Sequence, residues 1–280
     1  MPRQLRLAVS EPRVSIVIPA RNEARNLELV LPELPAVHEV ILVDGNSVDD
    51  TVATARRLLP DIRIIKQTRR GKGNALVCGF AAATGDIIVM FDADGSADPA
   101  EIPAFIAALQ AGADFAKGSR FAPGGGSLDI TRYRSFGNKG LNLLTNLLLK
   151  TAYSDLCYGY NAFWSDILED IDLPDPQVAV VAASGMMWGD GFEIETVLNC
   201  RIAAAKLDVR EVASVERSRI YGASNLNAIR DGFRVLKTIL QERASSKRMA
   251  KEIAEIRQLR GVAGSVSSSI LVEECAEEIA

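Results

Sequence analysis

Histidine is nearly absent from this sequence: the only one is His38. Chemistry that depends on imidazole would rest on one residue placed just before a strand-like run, and His38 reads as structural. Cysteine is sparse as well, and Cys78, Cys157, Cys200 and Cys275 form no CxxC pair. That argues against a zinc site or a disulfide framework and fits reduced thiols in a cytosolic protein. A basic surplus is missing, since the formal net charge is −4, so there is no electrostatic case for a nucleic-acid partner. No apolar run reaches the ~18 residues that a bilayer-spanning helix needs. The opening "MPRQLRLAVSEPR" lacks the apolar centre of a secretory signal. The expected location is cytoplasmic, with peripheral membrane contact left open.

What the chain does have is apolar content, 48% over 280 residues, enough for a substantial core. In its first half, short β-rich runs alternate with helical patterns. "VSIVIPA" (14–20), "EVILVDG" (39–45), "IRIIKQ" (62–67), "DIIVMFDAD" (86–94) and "ADFAKGSR" (113–120) read as strands. Their continuous apolar character suits parallel strands buried on both faces. Residues 22–34, 48–59, 73–83 and 99–110 between them read as helices, the last with Asp98 as N-cap and Pro99 at the first helical position. The repeat predicts an α/β fold with a mostly parallel central sheet and right-handed crossovers. The second half is less regular. A Gly-rich, mobile stretch is expected over 121–135, helices over 140–153, 192–204 and 224–242, and strands over 157–164 and 206–213. A mixed-charge helix and a frayed tail follow from 243. The implied organisation is an N-terminal extension (1–12), a regular βα half (13–120), a less regular half of the same domain (121–242) and the C-terminal segment (243–280).

Ligands of open α/β sheets bind at the carboxyl ends of the strands. Here those ends carry Pro19-Ala20-Arg21-Asn22-Glu23, Asp44-Gly45-Asn46-Ser47, Asp92-Ala93-Asp94 and Gly118-Ser119-Arg120. Any one of them alone is a solvated loop; a parallel sheet brings all four to one edge. Asp92 and Asp94 are hard oxygen donors. Two carboxylates make half a site for Mg²⁺ or Mn²⁺, the other ligands coming from a substrate diphosphate and water. An EF-hand is excluded, because "DADGSADPAEIP" has neither Gly at its sixth position nor Glu at its twelfth.

The segments "VSIVIPARNEARNL", "VILVDGNSVDDT", "RRGKGNAL", "VMFDADGSADPAEI", "AKGSRF" and "RIYGASNL" occur in the order found in family 2 glycosyltransferases of the GT-A fold. The pattern most resembles the dolichyl- and polyprenyl-phosphate sugar synthases and their soluble bacterial relatives. The resemblance implies a hexosyltransferase using a nucleoside diphosphate sugar of the GDP-mannose or UDP-glucose type with Mg²⁺ or Mn²⁺, and inverting the anomeric carbon. On it, Pro19, Ala20, Arg21 and Glu23 hold the nucleoside, Asp44 contacts the base, and Gly71, Lys72 and Gly73 lie along the nucleotide. Asp92, Ala93 and Asp94 serve the donor, with Asp92 and Asp94 as the metal pair. Arg120, Arg134 and Asn138 face the acceptor, a phosphorylated lipid or small molecule, and Arg217 and Arg219 match an arginine on a loop that closes over the diphosphate. Asn225 departs from the pattern, standing where lipid-phosphate synthases usually carry Lys.

A hydroxyl acceptor needs a carboxylate base within hydrogen-bond reach. Asp155 sits where relatives carry one, and Glu193 and Glu195 are rivals that could equally be favoured by a helix N-terminus. A phosphate acceptor needs no strong base. Leucines of 141–149 read as core or as a greasy surface leading to a lipid acceptor, and the alternating charges of the C-terminal helix could pair two copies of the chain. Two alternatives compete: a nucleotidyltransferase with a similar nucleotide-binding plan, and a sugar-nucleotide-binding module without catalysis.

Overall fold

The computed structural model describes residues 6, 11–178, 186–222 and 232–246. The chain falls into two units, Met1–Ile239 and Leu240–Ala280. Of the second, residues 240–246 are described and are helical. Most of the 1–12 extension, Asn225, the start of the helix expected over 224–242, and residues 247–280 of the expected C-terminal helix and tail lie outside the described residues.

In the first unit the expected alternation forms β1 (Val14–Ala20), α1 (Ala24–Val30), β2 (Glu39–Asp44), α2 (Thr51–Leu58), β3 (Arg63–Lys66), α3 (Lys72–Ala82), β4 (Ile87–Met90), α4 (Ile102–Gln110) and β5 (Phe115–Ser119). Then come β6 (Gly126–Ser127), α5 (Arg132–Leu149), β7 (Asn161–Trp164), α6 (Ile194–Ala204), β8 (Val209–Ala213) and β9 (Val215–Glu216). Seven strands form one sheet in the order β3-β2-β1-β4-β7-β5-β8. β1, β2 and β4 are buried along most of their length because a helix layer covers each face, and Ile16, Val17, Ile41, Leu42, Ile88 and Val89 are fully buried.

Several expectations shift. The run at 62–67 is not buried on both faces: β3 is an edge strand, with Arg63 and Lys66 exposed. The first helix stops at Val30, where Pro32 turns the chain into a 3₁₀ turn over Leu31–Glu33. The strand expected to reach 94 ends at Met90, because Asp94 folds into a turn, its Oδ1 accepting the Ser96 N–H at 3.0 Å, with Gly95 at φ 79°. Asp98 caps as expected, accepting the Ala100 N–H.

The helix expected from 140 starts at Arg132, with Thr131 as its N-cap, and ends in left-handed Lys150; Gly137 and Gly140 hid its first turns from the sequence pattern. The Gly-rich stretch before it is tied down, β6 pairing in parallel with β9. β7 runs antiparallel to both neighbours. Its chain arrives from the carboxyl edge, where Asp155 bonds to Arg120 beyond the end of β5, so it can only run back down the sheet.

Candidate functional site

Parallel pairing puts Ala20 beside Asp44 and Val17 beside Met90, so the ends of β1, β2 and β4 share one edge. A cavity of about 1140 Å³ opens there, large enough for a nucleotide and a second ligand. Of the residues singled out in the sequence, Pro19, Ala20, Arg21, Glu23, Gly71, Lys72, Asp92, Ala93, Asp94, Arg120, Arg134, Asn138, Glu193, Glu195 and Arg219 line it. Asp44, Asp155 and Arg217 are not in its wall.

The loop after β1 is shaped by Asn22, whose φ is 58° and whose Oδ1 accepts the Val48 N–H at 2.8 Å. Its own N–H donates to Ser47 Oγ at 3.0 Å, so the β1 and β2 loops lock together. Asp44 is buried and accepts the Ser47 N–H at 3.1 Å. It organises the loop from beneath, and Gly45 is the residue of that loop that faces the cavity.

Two charge clusters define the acidic end. Lys72, the first residue of α3, places Nζ 2.7 Å from Asp92 Oδ1 and 2.8 Å from Glu195 Oε1. Burial opposes the lysine charge, but Asp92 and Glu195 outweigh it, and its pKa is raised. Gly159 lies against this triad: a Cβ there would sit 3.1 Å from both Glu195 Oε1 and Lys72 Nζ. In the second cluster, Arg219 Nη2 is 2.6 Å from Asp94 Oδ2 and Nη1 is 3.5 Å from Glu23 Oε1. Burial raises the Glu23 pKa, against the pull of Asn26 and Arg219. Arg217 instead pairs with Asp98 and Glu33, so Arg219 is the arginine that reaches the DxD carboxylates, and Asp98 has an ion pair besides its cap.

Asp92 and Asp94 suit a hard divalent cation in donor type, and Asp94 already holds a positive group in Arg219. Among the described residues no cluster of three or more His, Cys, Asp or Glu side chains could enclose an ion by itself. A divalent metal held by this pair would need its other ligands from diphosphate and water.

At the other end, Arg120 is committed internally. Nε and Nη2 bind Asp155 at 2.7 and 3.0 Å, and Nη1 lies 3.1 Å from both oxygens of Glu216. Asn138 Nδ2 donates to Asp155 Oδ1 at 3.0 Å. Asp155 is fully buried; burial raises its pKa, but Arg120 more than compensates and holds it below the ordinary aspartate value. It is an anchor for Arg120 rather than an accessible base. Arg134, partly exposed, reaches Asp129 at 3.3 Å.

Glu193 is held differently. Its Oε1 accepts the N–H groups of Gly189 and Gly191, both at 3.2 Å. Oε2 is buried and accepts no hydrogen bond among the described residues, with Arg234 Nε 3.8 Å away. Around this end Ile130, Tyr133, Phe136, Leu141 and Phe233 supply an apolar wall.

Sequence reasoning missed Glu216, the second counter-ion of Arg120, and the ion pair of Arg69 with Asp190. Glu216 carried no signal. Asp190, set between Gly189 and Gly191 in "WGDGFEIET", had the composition of a constrained turn.

The family model for glycosyl transferase family 2 matches residues 15–172. Polyprenol monophosphomannose synthase of Mycolicibacterium smegmatis is 36% identical over 173 residues, 58% of this chain and 65% of that protein. Dolichol-phosphate mannosyltransferase of Pyrococcus furiosus is 31% identical over 171 residues, 58% of this chain and 49% of that protein. These alignments span about half to two thirds of the relatives' length. Among solved structures, glucosyl-3-phosphoglycerate synthase from Mycobacterium tuberculosis with Mn²⁺, uridine-diphosphate and glucosyl-3-phosphoglycerate superposes with a TM-score of 0.64 at 22% identity, covering 86% of this chain and 83% of that one. The same enzyme with phosphoglyceric acid gives 0.65 at 22%, with the same coverage. At that identity the likeness speaks to the fold.

Proposed function

Since the chain belongs to glycosyl transferase family 2 and has the GT-A fold, we propose that it moves a hexose from a nucleoside diphosphate sugar to the phosphate of a polyprenyl phosphate. One observation carries this reading: a single cavity has Asp92, Asp94 and Lys72 at one end and an apolar wall of Tyr133, Phe136, Leu141 and Phe233 at the other. The acidic end suits a metal diphosphate and the apolar end a lipid. α5 also leaves Phe136, Leu143 and Leu147 exposed on its flank, which favours peripheral contact with the membrane that carries such an acceptor. Among the described residues no helix is long and apolar enough to cross a membrane.

In this reading Asp94 and Asp92 would hold Mg²⁺ or Mn²⁺, which when bound would offset the negative charge of the departing diphosphate. The loops after β1 and β2 seat the nucleoside through Ala20, Arg21, Glu23 and Gly45. Lys72, fixed by Glu195, holds the Asp92 carboxylate in place. Arg219, already beside Asp94, is the cation nearest the diphosphate. An acceptor phosphate oxygen attacks the anomeric carbon, the bond from that carbon to the diphosphate oxygen breaks, and its electron pair leaves with the nucleoside diphosphate. The attack inverts the carbon and transfers no proton.

Glu193 favours a second reading. Glu193 lines the cavity, and while one of its oxygens is fixed by two N–H groups, the other, buried beside Gly191 and Arg234, accepts no hydrogen bond among the described residues, which leaves a lone pair for the proton of a hydroxyl acceptor. The acceptor would then be a small phosphorylated alcohol, with Arg134 beside its phosphate.

Release of nucleoside diphosphate from GDP-mannose and UDP-glucose, with Mn²⁺ or Mg²⁺, against a short polyprenyl phosphate and against 3-phosphoglycerate, separates the two. Turnover with the lipid phosphate and its persistence in Glu193→Gln support the first reading. Turnover with 3-phosphoglycerate that Glu193→Gln abolishes supports the second. No turnover with either, while the diphosphate binds, would leave a binding module. The nucleotidyltransferase alternative gives way to the family match.

A further inference from the structure

The loop after β3 and the turn before α6 are far apart in sequence yet are built as one piece. Arg69 Nε and Nη2 bind Asp190 Oδ2 and Oδ1 at 2.8 and 2.9 Å. Arg69 Nη1 donates to the carbonyls of Asp175, Pro176 and Val178 at 2.9, 3.3 and 3.1 Å. The side chains are 4% and 2% exposed. Asp190 Oδ2 also accepts the Met187 N–H at 2.6 Å, and its carbonyl accepts the Asn74 N–H at 3.1 Å. The backbones touch, since a Cβ on Gly71 would lie 2.1 Å from the Asp190 carbonyl oxygen and one on Gly73 would lie 1.9 Å from that of Gly189. Each segment carries residues of the cavity wall: Lys72 on the first, Glu193 and Glu195 on the second. Neither Arg69 nor Asp190 lines the cavity.

We infer that Arg69 and Asp190 are a positioning pair for the donor end of the cavity, holding Lys72 where it meets Asp92 and Glu195 together. The inference rests on the donor reading above. Lys72 must satisfy carboxylates from two other elements at 2.7 and 2.8 Å. A loop displacement of about 1 Å would break one of these contacts, and misplacement on that scale can cost about a hundredfold in function. Buried ion pairs add little stability over apolar residues of the same volume, so stability by itself does not account for this one. What a bidentate Arg–Asp pair supplies is a fixed distance and plane.

The test is calorimetric binding of GDP and of UDP, each with Mn²⁺, to the full chain as wild type, Asp190→Asn, Lys72→Met and the double variant. Asp190→Asn should weaken the tighter diphosphate about tenfold in the wild-type background and less than about twofold in the Lys72→Met background, because its effect passes through Lys72. Arg69→Lys keeps the charges but loses the fork; it should show a smaller loss with the same dependence on Lys72, and it serves where Asp190→Asn does not fold. Equal losses in both backgrounds, or unchanged binding in Asp190→Asn and Arg69→Lys, would overturn the inference and leave the donor reading intact. Wild-type protein that binds neither diphosphate would overturn both.

Discussion

Glu39 sits at the start of β2, on the edge of the sheet opposite the cavity, and ties β1, β3 and the loop before β4 together there. Its Oε1 accepts Ser15 Oγ at 2.6 Å, the Thr84 N–H at 2.6 Å and Thr84 Oγ1 at 2.9 Å, while Arg63 bonds to Oε2. Burial alone would raise its pKa, but these donors outweigh it and take it from 4.5 to about 2. At about 1.4 kcal/mol per pH unit, that depression is an upper bound of about 3.4 kcal/mol. Arg63 is 43% exposed, so solvent screening cuts the expected contribution to about 1–2 kcal/mol. A depressed carboxylate stabilises fully above its unfolded pKa and loses that contribution as pH falls through the folded one. Glu39→Gln should therefore cost about 1–2 kcal/mol at pH 7, and the gap should shrink by more than half by pH 3, as the window from 4.5 to about 2 is crossed. Urea unfolding at pH 7, 5 and 3 measures it. Diphosphate binding at pH 7 should be unchanged, because the residue lies at the far edge of the sheet. A gap of the same size at pH 7 and pH 3 would refute the electrostatic account, and weakened binding would refute the separation of stability from site.

Asp94→Asn should abolish the Mn²⁺-dependent part of GDP or UDP affinity; unchanged metal-supported affinity in calorimetry would remove Asp94 as a ligand. Gly159→Ala places a methyl 3.1 Å from Lys72 Nζ and Glu195 Oε1. It should weaken diphosphate binding about tenfold while costing about 1 kcal/mol or less in urea unfolding, a site effect rather than a packing one. Arg120→Ala leaves Asp155 and Glu216 buried without their shared cation, so it should cost about 3–5 kcal/mol in stability; a stable variant impaired only toward a phosphorylated acceptor would return Arg120 to direct phosphate binding. Burial, reinforced by Asp155, pushes the Cys157 thiol up to about 12. Alkylation at pH 8, mapped by mass spectrometry, should leave Cys157 largely unmodified although it lines the cavity.

The sequence by itself determined the α/β plan and the edge where ligands meet. Apolar runs at 14–20, 39–44 and 87–90 can be buried on both faces only inside a layered sheet, and parallel strands necessarily bring Ala20, Asp44 and the Asp92–Asp94 turn to one side. Local chemistry was readable for the same reason: Asp98 before Pro99 specifies a helix start whatever surrounds it. Tertiary structure alone decided which charges are available. Arg120, Arg217 and Arg219 are alike in sequence, yet Arg120 is neutralised by Asp155 and Glu216, Arg217 is drawn to Asp98, and only Arg219 reaches Asp94. The three carboxylates offered as bases likewise part company. Asp155 is enclosed by Arg120 and Asn138, Glu195 is held by Lys72, and Glu193 has one buried oxygen that accepts no hydrogen bond among the described residues. Ion-pair and side-chain partners 17 to 125 residues apart make these choices, and their approach depends on how β7, α5 and the turn before α6 pack. A local pattern of residue types therefore has no access to them.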